Sequence, residues 1–285
     1  MKIISPVCNN PIFIEIQYYT LKKYFLGNFE YIIFNDAKNF KDKTNNNDET
    51  MRQQIIDICK KLNILCINIP NEHHKYTTCI STRSSESMNH ILQFQKKYPD
   101  KYLILDSDMF LIDYFDSKKY DNYDCSIVLQ KRQINENPIY YFWNGLCYMN
   151  MNKIQNVDLM DWGTPQNYDT GTLMTNWLST QIHNDNIISP EDIRWKHDKS
   201  FSINKIYFIR HLWSTTWNEN EIPQNLLKNN KLLEFLKQDI RNTNSLFYCE
   251  LYDDVCLHYR GGSNWNHIDF NNYKTSTHKL YDIFL

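Results

Sequence analysis

Lys101–Ile112 reads KYLILDSDMFLI. Tyr102–Leu105 is an apolar, β-rich run of the length expected for a strand buried on both faces. Asp106-Ser107-Asp108 interrupts it, and Met109–Ile112 resumes as apolar sequence. Two acids could be loop residues after an ordinary strand, but a solvated turn does not normally resume as Met-Phe-Leu-Ile. Carboxylates inside such a run are costly unless something neutralises them. A divalent cation does so directly, since Asp suits a hard, oxygen-seeking ion such as Mn²⁺ or Mg²⁺. At a strand end the Asp-x-Asp spacing aims one carboxylate at the ion and the other at the ion or a sugar hydroxyl.

The residues upstream alternate. Strands are predicted at Lys2–Pro6, Phe29–Phe34 and Leu65–Ile69, and helices at Pro11–Phe25, Thr50–Leu62 and Ser81–Tyr98. Asn39–Asp48, with Asn45, Asn46 and Asn47 adjacent, reads as a surface loop. Strand–helix alternation predicts a parallel sheet with helices on its faces. In such sheets ligands bind beyond the carboxyl ends of the strands, which here carry Val7-Cys8-Asn9, Asn35-Asp36 and Asp106–Asp108. No Gly-x-Gly-x-x-Gly or Gly-Lys-Ser/Thr loop occurs, so a Rossmann dinucleotide site and a P-loop are disfavoured. Phosphates would then be met by metal and side chains, with Arg83 and Lys75 as candidates; a solvated helix terminus is the alternative for both.

Downstream, Tyr123–Gln130 predicts a strand. Pro138–Met151 predicts a strand or a strand pair, with Asn144-Gly145 as a possible hairpin turn. Lys153–Trp162 and Pro223–Arg241 read as helices. Asp169 stands near the start of a helix that ends at Leu178, where a cap is one reading of it. Short strands are expected within Asn186–Ser214 and at Val255–Tyr259.

The chain of 285 residues has 42% hydrophobic and 15% aromatic content, enough for a sizeable core. Its 20 tyrosines and 7 tryptophans suit a site that stacks rings. A formal net charge of −2 argues against a nucleic-acid partner. None of the 8 cysteines forms a Cys-x-x-Cys pair, so structural zinc of that type is not expected. No signal peptide and no membrane span are read. The expectation is a soluble protein of a reducing, cytoplasm-like compartment. Heavy use of Asn, Lys, Ile and Tyr is that of an AT-rich genome, a viral one included, which would make it the host cytoplasm.

The second unusual stretch is Val255-Cys-Leu-His258-Tyr-Arg260-Gly-Gly-Ser-Asn-Trp265. A histidine ends a short apolar strand, and neutral imidazole is a good third ligand for Mn²⁺. Gly261 and Gly262 allow close backbone approach, and Arg260 can pair with a diphosphate. A satisfied strand-end histidine is the competing reading.

Together these stretches resemble the GT-A glycosyltransferases, nearest to the glycogenin and galactinol-synthase type. LILDSDMF matches that family's Asp-x-Asp strand, and FWNGLCYMNM resembles its Asn-x-Gly strand with one residue fewer. YDTGTLMTNW loosely resembles its Asp-rich segment. HYRGGSNW keeps the late His, a Gly and a Trp but lacks the Lys-Pro. The resemblance implies an α/β fold of GT-A type, a Rossmann-like nucleotide-binding half with a mixed central sheet and helices on both faces. It implies one domain over 1–285, with 1–115 binding the nucleotide sugar and 116–285 the acceptor.

By the same resemblance Asp106, Asp108 and His258 would hold Mn²⁺ or Mg²⁺. Asn9 and Asp36 would lie near the base, and Val7 would belong to the same nucleotide-sugar site. Arg83, Ser107, Gly145, Arg260, Gly261 and Asn264 would line the rest of the donor site, Arg260 or Asn264 replacing the missing Lys. Asn144 and Asp169 would meet the transferred sugar, and Asp161 or Asp169 would be the base if transfer inverts. The implied partners are a nucleotide sugar, of the UDP class, and a hydroxyl acceptor on a glycan or protein; the motif order favours retention. Two alternatives stay open: a nucleotidyltransferase, which should show a Gly-rich basic loop where SPVCNNP stands, and a non-catalytic sugar-nucleotide-binding relic. Oligomeric state is not legible.

Overall fold

The computed structural model describes residues 1–40, 49–134, 137–165, 168–182, 196–197, 201–261 and 270–285. The first half follows the expected alternation: β1 (Lys2–Val7), α1 (Ile12–Tyr24), β2 (Glu30–Asn35), α2 (Met51–Leu62), β3 (Leu65–Asn68), the short α3 (His73–Tyr76), α4 (Ile80–Lys97) and β4 (Lys101–Leu105). β1 pairs in parallel with β2 and β4, and β2 with β3. β6 (Cys125–Ile134), β7 (Asn137–Asn150), β9 (Phe201–Ile203) and β10 (Ile206–Phe208) extend the same sheet. Its order is β3-β2-β1-β4-β7-β6-β10-β9, with β7 antiparallel to both β4 and β6. The sheet is therefore mixed, as expected.

Period-two alternation places helices on both faces. Ile4, Ile32, Phe34, Tyr102 and Ile104 pack with Met88, Ile91 and Leu92 of α4. Ile3, Tyr31, Ile33, Leu103 and Leu105 pack with Ile14 and Leu21 of α1 and with Ile55 and Cys59 of α2. All are buried, as a central strand's near-continuous hydrophobic run requires.

The quoted stretch holds a joint that its sequence did not announce. Met109–Leu111 is not a continuation of β4 but a separate strand, β5, in a second sheet. That sheet runs β5, β13 (Cys256–His258), β12 (Glu250–Tyr252), β11 (His211–Leu212) and β8 (Lys196–His197). The chain crosses from one sheet to the other at Asp106–Asp108, and β13 lies antiparallel to β5 with His258 opposite Met109. Phe13 and Ile16 of α1 join Phe110, Leu232, Leu236, Leu257 and Leu280 in a third apolar cluster beneath the second sheet.

Four expectations are corrected. Asn144-Gly145 is no hairpin: β7 runs through it, and the register with β6 slips there. A Cβ on Gly145 would lie 2.0 Å from the Trp143 indole, which folds over it. The glycine serves close approach within a bulge. Lys153–Trp162 holds only a 3₁₀ turn, Val157–Leu159, entered through left-handed Asn156. Pro223–Arg241 splits into α6 (Gln224–Leu227) and α7 (Asn230–Lys237), because the Asn229 side chain accepts from Leu232 N at 3.1 Å and starts a new helix. Asp169 caps nothing with its side chain; α5 (Thr175–Gln181) begins six residues later. A C-terminal helix, α8 (Phe270–Phe284), was not anticipated.

Candidate active site

A cleft of about 700 Å³ opens at the carboxyl edge of β1, β2 and β4, a volume in the range of small-ligand sites. Pinning of the Asp106–Asp108 joint starts in α1. Gln17, 1% exposed, donates from Nε2 to the carbonyls of Asp106 (2.8 Å) and Met109 (2.6 Å) and accepts from the Tyr31 hydroxyl. Ser5 Oγ donates to Leu105 O, and Asp106 N donates to Gly145 O, both at 2.8 Å. Tyr259 N donates to Asp108 O at 2.9 Å. The loop's backbone is thus held from α1, β1, β7 and the residue after β13, and both acids line the cleft.

The Asp106, Asp108 and His258 ligand atoms all lie within 4.8 Å of one another. His258 Nε2 is 3.1 Å from Asp108 Oδ1, and its Nδ1 is 2.8 Å from Glu250 Oε2. Glu250 is 1% exposed and also accepts from the Tyr252 hydroxyl at 2.6 Å, while Arg260 Nε stands 3.6 Å from its other oxygen. Carboxylate–imidazole–cation is the usual arrangement of a ligating histidine, the outer acid fixing its tautomer and orientation. Two carboxylates and one imidazole fit Mn²⁺ or Mg²⁺ by chemistry and by spacing.

Titration follows from the same contacts. Burial alone would lower the His258 imidazole, but Asp108 and Glu250 push it up to about 10. Burial and the charge of Asp108 raise the Asp106 carboxyl to about 6. Burial would raise Glu250, yet His258 and Arg260 hold it below the ordinary range.

Most expected site residues reach the cleft: Val7, Asn9, Asp36, Arg83, Ser107, Asn144, Asp169, Arg260 and Gly261 line it together with Asp106, Asp108 and His258. Arg83 is oriented by donating to Thr77 O (2.7 Å) and His74 O (3.0 Å). Asn144 Nδ2 stands 3.4 Å from Ser84 Oγ. Asp169 Oδ2 accepts from both Arg132 Nε (3.1 Å) and Arg132 Nη2, and from the Tyr141 hydroxyl (3.0 Å).

Asp161 is not among the lining residues; it accepts from Asn89 Nδ2 (2.9 Å) and Gly163 N (2.7 Å) and anchors its own loop. Gly145 contributes a carbonyl to the Asp106 amide rather than a wall. Lys75 is exposed, with its ammonium over the Phe40 ring. Asn264, like Gly262, Ser263 and Trp265, lies outside the described residues.

Sequence reasoning missed Glu250, Arg132, Trp143 and the pair His73-His74. Trp143 stacks on Tyr252 (5.2 Å between centroids) and lies 4.9 Å from the His258 ring. Asp36 Oδ2 accepts from His73 and His74, and these bonds outweigh burial to hold its carboxyl below the usual range. Glu250 did carry a signal, an acid within apolar Cys249–Tyr252, the same anomaly that marks Asp106.

Solved glycosyltransferases resemble this chain weakly. Galactosyltransferase LgtC in complex with donor and acceptor sugar analogues superposes with a TM-score of 0.40 and 13% identity over 63% of this chain and 69% of that one. An active-site mutant of LgtC gives 0.38 and 15% over 54% and 58%. The apo bifunctional glycosyltransferase WbbM gives 0.38 and 11% over 63% of this chain and 36% of its own. No protein-family model matches the chain, and no curated protein matches it. Among the described residues no helix is long and apolar enough to cross a membrane.

Proposed function

We propose that the chain is a GT-A-type glycosyltransferase that moves a sugar from a nucleoside diphosphate, of the UDP class, to a hydroxyl of a glycan or protein, using Mn²⁺ or Mg²⁺. The carrying observation is the meeting of Asp106, Asp108 and His258, with Glu250 behind the imidazole, at the carboxyl edge of the sheet. These three would hold the ion, which when bound supplies Lewis-acid stabilisation of the charge developing on the leaving diphosphate. Glu250 keeps the Nδ1 side of His258 occupied, so that Nε2 faces the carboxylates. Arg260 and Arg83 flank the cleft as partners for phosphate oxygens. Val7, Asn9, Asp36, Ser107, Gly261, Asn144 and Asp169 all line the cleft; Asn9 and Asp36 would meet the base, Val7, Ser107 and Gly261 would line the rest of the donor site, and Asn144 and Asp169 would meet the transferred sugar.

Retention is favoured over inversion. An inverting enzyme needs a carboxylate base at the acceptor hydroxyl. Asp161 anchors a loop away from the lining residues, and Asp169 Oδ2 is already taken up by Arg132 and Tyr141. Segment 1–115 would supply the donor half and 116–285 the acceptor half of one working unit. A reducing, cytoplasm-like compartment belongs to the same proposal and agrees with buried thiols at Cys59, Cys125, Cys147, Cys249 and Cys256.

The test is a thermal-shift panel of sugar nucleotides with Mn²⁺, followed by turnover of whichever donor stabilises the chain. Release of a nucleoside diphosphate with sugar transfer or hydrolysis is expected, and Asp108→Ala should abolish it. Unchanged turnover in that variant with metal present refutes the assignment, and conversion of the sugar nucleotide to a nucleoside triphosphate and a sugar 1-phosphate only when pyrophosphate is added marks a nucleotidyltransferase instead.

A further inference from the structure

The other end of the cleft holds a second group of converging side chains. Asp36 follows β2, and His73 and His74 are the first two residues of α3. Consecutive helical residues normally point about 100° apart. Here both rings turn to the same point, 4.3 Å between centroids. His73 Nε2 lies 3.2 Å and His74 Nε2 3.0 Å from Asp36 Oδ2, and Ser87 Oγ lies 2.6 Å from that same oxygen.

The distribution of contacts is lopsided. One carboxylate oxygen carries three partners, while Asp36 Oδ1, buried on a side chain only 5% exposed, has none among the described residues. A hydrogen-bond cluster lowers its energy by spreading donors over both oxygens. Two imidazole nitrogens and one carboxylate oxygen within 4.8 Å of one another have the spacing of a ligand set, and His74 Nε2 is also 3.0 Å from the Asp36 main-chain carbonyl. Asp36 and His74 also line the cleft, which gives an ion a path in.

We propose that Asp36, His73 and His74 form a second cation site, one for a transition metal of the Zn²⁺ type, separate from Asp106, Asp108 and His258. Two imidazoles and one carboxylate are a borderline-soft donor set that favours Zn²⁺ over Mg²⁺. Ser87 Oγ or a ligand from the cleft completes four-coordination. The ion ties the end of β2 to α3 and to α4, whose first turns place Ser81, Arg83 and Ser84 on the cleft wall. Its role is to fix that wall, and it stands whether or not the cleft transfers sugars.

The test uses the full chain carrying Asp106→Asn and Asp108→Asn, stripped with chelator and titrated with Zn²⁺ and, for its visible spectrum, Co²⁺. One equivalent of Zn²⁺ should bind, Co²⁺ should show tetrahedral d–d absorption, and the thermal midpoint should rise. Adding His73→Ala and His74→Ala should weaken binding by about tenfold or more and abolish the Co²⁺ bands, with circular dichroism confirming the fold. If the histidine variant does not fold, the parent decides: Zn²⁺ should protect His73 and His74 from diethyl pyrocarbonate, read by peptide mass. No equivalent bound by the folded parent, equal binding by a folded histidine variant, or unprotected histidines in the loaded parent would each overturn the site.

Discussion

Glu250 touches no part of the cation's place directly, yet the geometry of His258 depends on it. Glu250→Gln keeps an acceptor for Nδ1 but removes the charge that makes the imidazole a better donor. Mn²⁺ affinity should fall by about 10–100-fold, measured by isothermal titration, with little change in fold. An unchanged affinity would mean that His258 is oriented by packing against Trp143 alone. The proton on His258 gives a second handle. In the metal-free chain Asp108 and Glu250 hold its titration near 10, so cation binding must expel a proton. Mn²⁺ affinity should therefore rise with pH, by about tenfold per unit while one proton is displaced. Below about 6 the Asp106 carboxyl, raised by burial and by Asp108, adds a second competing proton and steepens the dependence. The stability of the metal-free chain runs the other way. A folded value above the unfolded imidazole's ~6.5 means stabilisation fully present below that pH and lost as pH climbs towards 10. Chelator-treated protein should lose thermal midpoint across that window more than Mn²⁺-loaded protein, and parallel curves would contradict it. Asp106, Asp108 and His258 were legible because polar residues in apolar runs are conspicuous. His73-His74 was not, because two exposed-looking histidines after a proline carry no pattern until the fold brings Asp36 against them.

At the scale of elements, β1, β2, β4 and the helices between them follow from alternation and from periodicity alone, since each buries one stripe or both faces. The errors arise where local chemistry competes with pattern. Asn-Gly favours a hairpin in isolation, but pairing of β7 with β6 on both sides of it, and an indole needing room over Gly145, override it. Leucine spacing over Pro223–Arg241 suggests one helix, but an asparagine side chain restarts it. The joint between β4 and β5 is the least legible, because both strands are apolar and only their partners differ. Gln17 shows how that joint is held. Gln17→Leu matches its size roughly but leaves the Asp106 and Met109 carbonyls and the Tyr31 hydroxyl without this partner. Each buried polar group left unmade costs about 1–3 kcal/mol; Asp106 O keeps the Met109 amide, so the other two groups set an expected loss of roughly 2–6 kcal/mol in urea unfolding. A loss within ~0.5 kcal/mol, the range of ordinary surface changes, would show that the joint does not depend on α1.

At the scale of the molecule, the candidate cation site exists only where the two sheets meet. Asp106 leaves the large sheet, Asp108 enters the small one, and His258 arrives on β13, about 150 residues later in the chain. Sequence could name the three groups but not their meeting, which depends on β13 pairing with β5 and on α1 packing beneath both. An ion bound there ties the sheets together, and linkage makes this measurable. At a free Mn²⁺ concentration of about 100 times Kd, binding to the native state alone adds ~2.7 kcal/mol. For a chain of this size that is a rise in thermal midpoint of roughly 4–5 °C. Asp108→Ala preserves the backbone bond from Tyr259 N to Asp108 O, so the metal-free variant should fold, and the Mn²⁺ shift should vanish. Retention of the full shift would place the stabilising ion elsewhere in the chain. A shift lost in Asp108→Ala but kept in His73→Ala would separate the ion between the sheets from the one proposed at the end of β2.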